Sequence, residues 1–171
     1  MLDQKRGRYH LNTPSSSENL GQIRDFVGEI ARKAGFTEEY VNKIQIAVDE
    51  ACTNVVQHAY KGMIPKDIDV LVEVNSDKLT VTVSDQGRGF DPHSFPPLDM
   101  NAYFANLKRG GLGIYLIHML MDEVEFMINP GRKNSVRMVK FLHPVESSER
   151  KQNQKILLEK SRERKRHAVS E

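Results

Sequence analysis

Residues 44 to 60 read IQIAVDEACTNVVQHAY. Wound as an α-helix, this stretch gathers Ile44, Val48, Ala51, Cys52, Val55 and Ala59 into one apolar stripe at spacings of three and four. Glu50 and Asn54, one turn apart, fall together along a border of that stripe. A border position half-sinks a carboxylate and a carboxamide against the core, where they can hold fixed geometry and still reach a ligand. The plainer reading is that both are ordinary solvated helix residues, and the rest of the chain has to decide between the two.

Working towards the N-terminus, Tyr40 leads into the stretch and Thr37 starts its helix, with Glu38 and Glu39 in the first turn. Ahead of it Leu20, Ile23, Val27, Ile30 and Ala34 recur at helical spacing until Gly35 closes the segment. Ser16 or Ser17 reads as the N-cap of that helix, with Glu18 near its positive end. Arg8 to Asn12 suits a short first strand ended by Pro14.

Towards the C-terminus, Gly62 and Pro65 break the helical pattern and the period changes to two. Ile68, Val70, Val72 and Val74 share one strand face, Asn75 to Asp77 supply turn chemistry, and Leu79, Val81 and Val83 share a face of the next strand. Asp85 keeps the parity of those three, so its carboxylate projects toward the helical layer and toward Glu50 and Asn54. The stretch from Asp91 to Arg109 has no sustained period and reads as a functional lid or a disordered insertion. Val124, Phe126 and Ile128 form a strand, and Ser135 to Leu142 the last one. Strands cluster instead of alternating with helices, which predicts an α+β fold: a two-layer α/β sandwich with a mixed, mostly antiparallel sheet and helices on one face.

The 171 residues suit one domain over 1–144 followed by a basic tail, 145–171, that is a marginal helix or flexible. Residues 146 to 171 hold eight Lys/Arg against five Asp/Glu, whereas residues 1 to 145 hold 17 against 18. The body is close to neutral, so a nucleic-acid or membrane partner would have to be recruited by the tail, and its acidic residues and weak apolar content favour a solvated tail. Hydrophobic content of 39% and charged content of 28% are those of a soluble globular chain. No apolar run approaches the roughly 20 residues of a membrane span. The N-terminal MLDQKRGRYHLN has no apolar run behind its basic residues, which argues against a secretory signal. The single cysteine, Cys52, lies in the apolar stripe as a small hydrophobe, and the simplest compartment is the cytoplasm. The six histidines are scattered without metal-ligand spacing.

Two glycine-punctuated stretches remain. Asp85-x-Gly87-x-Gly89 ends a strand, and Gly110-Gly111-Leu112-Gly113 opens an apolar helix. Either alone reads as a plain turn. Together they describe more: glycines ahead of a helix let backbone N–H groups approach an anion at the positive end of the helix dipole. A buried carboxylate accepts a hydrogen bond from an exocyclic amine such as that of adenine. Glu50 and Asn54 offer oxygen ligands, and nucleotide-bound Mg²⁺ takes only one or two protein oxygens beside phosphates and water. The set is that of a site for ATP with Mg²⁺.

These motifs resemble the GHKL, or Bergerat-fold, ATPases, and within them the bacterial anti-sigma-factor serine protein kinases. The resemblance covers about residues 8 to 142 and rests on VDEACTNVVQHAY for the N-box, VSDQGRGFDP for the first glycine box and KRGGLGIYLIHMLMDEV for the second. It implies that Asn54 coordinates Mg²⁺, that Asp85 binds the adenine amino group with Gly87 and Gly89 shaping the base pocket, and that Gly110, Gly111, Leu112 and Gly113 line the phosphates. Glu50 fits the catalytic base and Arg109 a basic position contacting the terminal phosphate. The family's last hairpin usually carries Gly-Thr with its hydroxyl near the base, and here the pair is Asn134-Ser135, so the resemblance assigns Ser135 to that place. It implies phosphoryl transfer to a serine of an anti-sigma-factor antagonist, sequestration of a sigma factor, and homodimerisation. A nucleotide-binding switch that binds a protein partner without phosphoryl transfer is the competing expectation.

Overall fold

The computed structural model describes residues 6–89 and 112–142. The expected lid and the expected tail lie outside them. Strand β1 (Gly7–Pro14) is followed by a 3₁₀ turn (Ser17–Asn19), helices α1 (Leu20–Ala34) and α2 (Glu38–Asn54), and a π-helical turn (Val55–Ala59). The hairpin β2 (Asp67–Val74) and β3 (Lys78–Asp85), helix α3 (Leu112–Leu120), and strands β4 (Glu123–Met127) and β5 (Asn134–Phe141) complete the order.

The five strands form one sheet in the order β1-β2-β3-β5-β4, and every pairing is antiparallel. The mixed sheet expected from the sequence therefore has no parallel pair among the described residues. Because β5 inserts between β3 and β4, β3 is the central strand and its end is flanked by β2 and β5.

Alternation along β2 and β3 sends Ile68, Val70, Val72, Val74, Leu79, Val81 and Val83 to the helical side, where all are buried with Val136 and Met138 of β5. Against them pack Ile23 and Val27 of α1, Ile44 and Val48 of α2, and Ile117 of α3. The six stripe residues of the opening stretch are all buried, as their spacing predicts. Burial of such side chains contributes roughly 1.5–3 kcal/mol each and is the main force holding helices to sheet.

Local signals set the boundaries. Ser16 accepts a hydrogen bond from Glu18 N and so caps the 3₁₀ turn rather than α1, which begins two or three residues later than a cap at Ser17 or Ser16 predicts. Gly35 ends α1 in the left-handed region at φ 101°, a conformation glycine adopts without a Cβ penalty. Across that turn Arg32 grips Glu38 through two hydrogen bonds of 2.8 and 3.1 Å. At the far end of the sheet Lys140, almost fully buried, reaches the Leu120 carbonyl at 2.8 Å and Asp122 at 3.3 Å, tying the end of α3 to β5.

Candidate nucleotide site

Glu50 and Asn54 occupy the last turns of α2, half-buried on the border of a stripe whose Ala47, Val48, Ala51 and Cys52 are sealed. The Cys52 thiol is pushed up to about 12 by burial and, to a lesser degree, by the nearby Asp49 carboxylate, which leaves it an inert core group. Beyond Asn54 the chain widens into the π turn, a feature that often marks functional positions. The last carbonyls of a helix lack intrahelical donors. Here the Ala59 carbonyl finds one in Arg88 N at 2.9 Å, so the end of this helix carries the loop that follows β3.

That loop starts at Asp85. As its parity predicts, Asp85 follows Leu79, Val81 and Val83 on the helical side. Its Oδ1 accepts hydrogen bonds from Gly87 N at 2.7 Å and from Asn134 Nδ2 at 2.9 Å. Gly87 packs on the Ala59 carbonyl so closely that a Cβ there would strike backbone. Gly89 sits at φ +69°, and a Cβ on it would lie 2.7 Å from Ile128 Cγ2 and 2.9 Å from Asn134 Oδ1. Both glycines are required by space, and Gly89 by conformation as well.

Tyr60 fixes the loop from below. Its buried hydroxyl accepts from Gln86 N at 3.0 Å and donates to the Asp67 carbonyl at 3.2 Å. Burial raises its pKa above the ordinary tyrosine value, keeping the phenol protonated.

The second glycine stretch meets α2 at Gly113, in the first turn of α3. A Cβ added there would lie 2.5 Å from Glu50 Oε2, so the Glu50 carboxylate rests on the helix backbone where Gly113 leaves room for it. Leu112 beside it is partly exposed. Arg109, Gly110 and Gly111 lie outside the described residues.

The structure thus brings Glu50 to Gly113, and Asp85 to Gly87 and Gly89. Ser135 it places elsewhere: in register with Ser84, it points to the opposite face of the sheet from Asp85. The physical reason is strand alternation, since Asn134 pairs with Asp85 and its neighbour must face away. The Ser135 hydroxyl expected beside the base therefore faces away from Asp85, whose side-chain partner across the strands is Asn134. Asn134 and Tyr60 are the two site residues that sequence reasoning did not assign. For Asn134 a signal existed in the parity of the last strand, whereas for Tyr60 none did, because its partner Gln86 is 26 residues away.

The residues present fit an adenine nucleotide. A half-buried carboxylate at a strand end, a loop that two glycines let pack closely beside it, and a second acid beside a helix start are groups that such a ligand can use. Among the described residues no group of three or more His, Cys, Asp or Glu gathers as a metal cage. No helix among them is long and apolar enough to cross a membrane.

Comparison with known proteins agrees with this geometry. Residues 13–140 match the histidine kinase-like ATPase domain. Serine-protein kinase RsbW of Bacillus licheniformis is 39% identical over 137 residues, covering 78% of this chain and 84% of the relative. The protein of the same name from Bacillus pumilus is 40% identical over 139 residues, covering 78% and 85%. Among solved structures, the SiaB–SiaC complex of Pseudomonas aeruginosa aligns with a TM-score of 0.60 at 18% identity, covering 80% of this chain and 90% of that one. The RsbU and RsbW domains of Rv1364c from Mycobacterium tuberculosis align with a TM-score of 0.58 at 16% identity, covering 81% of this chain and 33% of that longer one. At those identities the two structures speak for the fold alone. With its family domain matched over 13–140 and its sequence matched across most of the RsbW length, the chain belongs to the histidine kinase-like ATPases and, within them, to the RsbW serine-protein kinases.

Proposed function

We propose that this protein serine kinase transfers the γ-phosphoryl group of ATP to a serine of an anti-sigma-factor antagonist, and that the same chain sequesters a sigma factor. The observation that carries the reading is the Glu50 carboxylate lying on Gly113, which puts an acid beside the helix start where phosphates are expected. In this reading Asp85 receives the adenine amino group, and Gly87 and Gly89 shape the base pocket. The backbone from Gly110 through Leu112 to Gly113 cradles the phosphates, and Arg109 contacts the terminal one. Asn54 offers its side-chain oxygen to Mg²⁺, which when bound neutralises phosphate charge. Glu50 takes the proton of the attacking serine hydroxyl as the oxygen bonds to the γ-phosphorus and the bond to the β-phosphate oxygen breaks. Positioning and charge neutralisation carry such a transfer, so a few fixed side chains suffice. Partner exchange of this kind belongs in the cytoplasm, and a homodimer is the proposed assembly.

The test is to purify the chain from its native host in the presence of ATP and magnesium, map phosphoserine on whatever is retained, and then repeat the transfer with labelled ATP. Label should reach a serine of a retained protein, and Glu50→Gln or Asn54→Ala should slow the transfer by about a hundredfold or more. Transfer that keeps its rate through both substitutions rules the mechanism out. Binding of ATP without transfer to any retained protein instead supports a nucleotide-controlled binding switch.

A further inference from the structure

Asn134 is 2% exposed and every polar atom of its carboxamide is used. Nδ2 donates to Asp85 Oδ1 at 2.9 Å and to the Gly87 carbonyl at 3.0 Å, and Oδ1 accepts from Asn129 N at 3.1 Å. The orientation is dictated by these neighbours, because a flipped amide would set its oxygen against two acceptors and its NH₂ against a donor. On Asp85 the consequence is asymmetric. Oδ1 receives two N–H donors, which fills both its lone-pair directions, while Oδ2 takes no hydrogen bond from a described residue. Among the described residues the buried side-chain polar atoms without a partner are Ser15 Oγ and Asp49 Oδ1, so Oδ2 is not a stranded atom, and Asp85 itself is only half-buried.

We infer that Asn134 is a positioning residue for the purine: it clamps one oxygen of Asp85 so that the other is presented, as an acceptor only, to the 6-amino group of adenine. This rests on the ATP reading above and goes beyond it by naming what selects the base. A 6-oxo purine would bring an acceptor against Oδ2 and leave both unpaired, and sites built around one hydrogen bond reject analogues that lack it far more strongly than shape alone allows. Gly89 completes the device, since its missing Cβ is what lets the loop pass beside Asn134 Oδ1.

The experiment is calorimetric titration, with magnesium, of the full chain and of Asn134→Asp and Asn134→Leu with ATP and with purine riboside triphosphate, which lacks the 6-amino group. Asn134→Asp keeps an acceptor for Asn129 N but sets a second carboxylate against Asp85, whereas Asn134→Leu removes the donors without adding charge, so a loss common to both variants reports the clamp. The variants should bind ATP about 10- to 100-fold more weakly, the worth of one hydrogen bond to a charged group, and the amino-free nucleotide within about threefold of wild type. Equal losses for both nucleotides, or no loss for ATP, overturn the clamp while leaving the ATP reading intact. Wild-type protein that binds neither nucleotide overturns both. Where a variant does not fold, the wild type decides: the Asn134 side-chain amide signals in ¹⁵N spectra should move on adding ATP more than on adding the amino-free nucleotide, and identical changes refute the inference.

Discussion

Gly113→Ala should leave the protein as stable as wild type and slow phosphoryl transfer about a hundredfold. The added Cβ would lie 2.5 Å from Glu50 Oε2 but 3.5 Å from Glu50 Cδ and 3.6 Å from Glu50 Cβ, so only the tip of a flexible side chain clashes. That oxygen must retreat by about 1 Å to reach van der Waals separation. Turning the carboxylate away costs roughly 0.5–1.5 kcal/mol if it leaves its rotamer. Replacing glycine by alanine inside a helix returns about 0.5–1 kcal/mol. The two nearly cancel, and the melting temperature should stay within about 3 °C. Catalysis has no such offset: a 1 Å displacement of a catalytic group costs about 10²-fold, and loss of a general base costs about 10²–10⁴-fold. Single-turnover transfer from labelled ATP, at saturating nucleotide, to the serine-bearing protein retained in the purification isolates this step. Adding Gly113→Ala to Glu50→Gln should then do nothing more, because both act on one carboxylate. A wild-type rate in the single variant, or a further hundredfold loss in the double, refutes the reasoning.

Other perturbations read out other parts of the scaffold. Tyr60→Phe leaves Gln86 N and the Asp67 carbonyl without their shared partner, and urea unfolding should show a loss of about 1–3 kcal/mol, with weaker ATP binding as the loop loosens. Lys140→Met removes one partner of a buried ion pair whose side chains are 5% and 7% exposed, and should cost about 3–5 kcal/mol by the same measurement. Cys52 should resist thiol reagents in the folded protein and react at the rate of global unfolding. Its raised pKa also sets a sign: below its ordinary value of 9.0 the thiol is neutral in both states and its contribution is fully present. Between pH 9.0 and about 12 the unfolded chain ionises first, so stability should fall by up to about 1.4 kcal/mol per pH unit, and Cys52→Ala should flatten that slope.

Periodicity carried most of the architecture. The stripe from Ile44 to Ala59 and the alternation from Ile68 to Val83 name buried positions because burial on one face of a helix or strand is a local property of spacing. Asp85 followed from the same parity. Strand order did not, since it depends on how β5 folds back between β3 and β4, which no local pattern records. Which of Asn134 and Ser135 faces Asp85 was hidden for a related reason: a one-residue shift in the pairing of the last strand exchanges the two. The π turn and the Tyr60 hydroxyl were illegible because their meaning lies in Gln86 and Arg88, which become neighbours only in three dimensions.

The site has two ends that share one support, and this separates affinity from chemistry. Asn134, Tyr60 and the Ala59 carbonyl all act on the loop from Asp85 to Gly89, where the base would rest, through hydrogen bonds in which Glu50 has no part. Glu50 and Gly113 meet at the start of α3, where the phosphates would lie. Helix α2 and its π turn join the ends through covalent backbone, so loosening the base loop shifts how well nucleotide binds without moving the acid. Interactions made equally in ground and transition states change KM, whereas those that align the reacting groups change kcat. Variants at Tyr60 and Asn134 should therefore recover near wild-type turnover when ATP is raised to saturation, and variants at Gly113 and Glu50 should not. A Tyr60→Phe protein whose turnover stays depressed at saturating ATP would mean that the π turn transmits strain from the base loop to Glu50, and that the two ends form one mechanical unit.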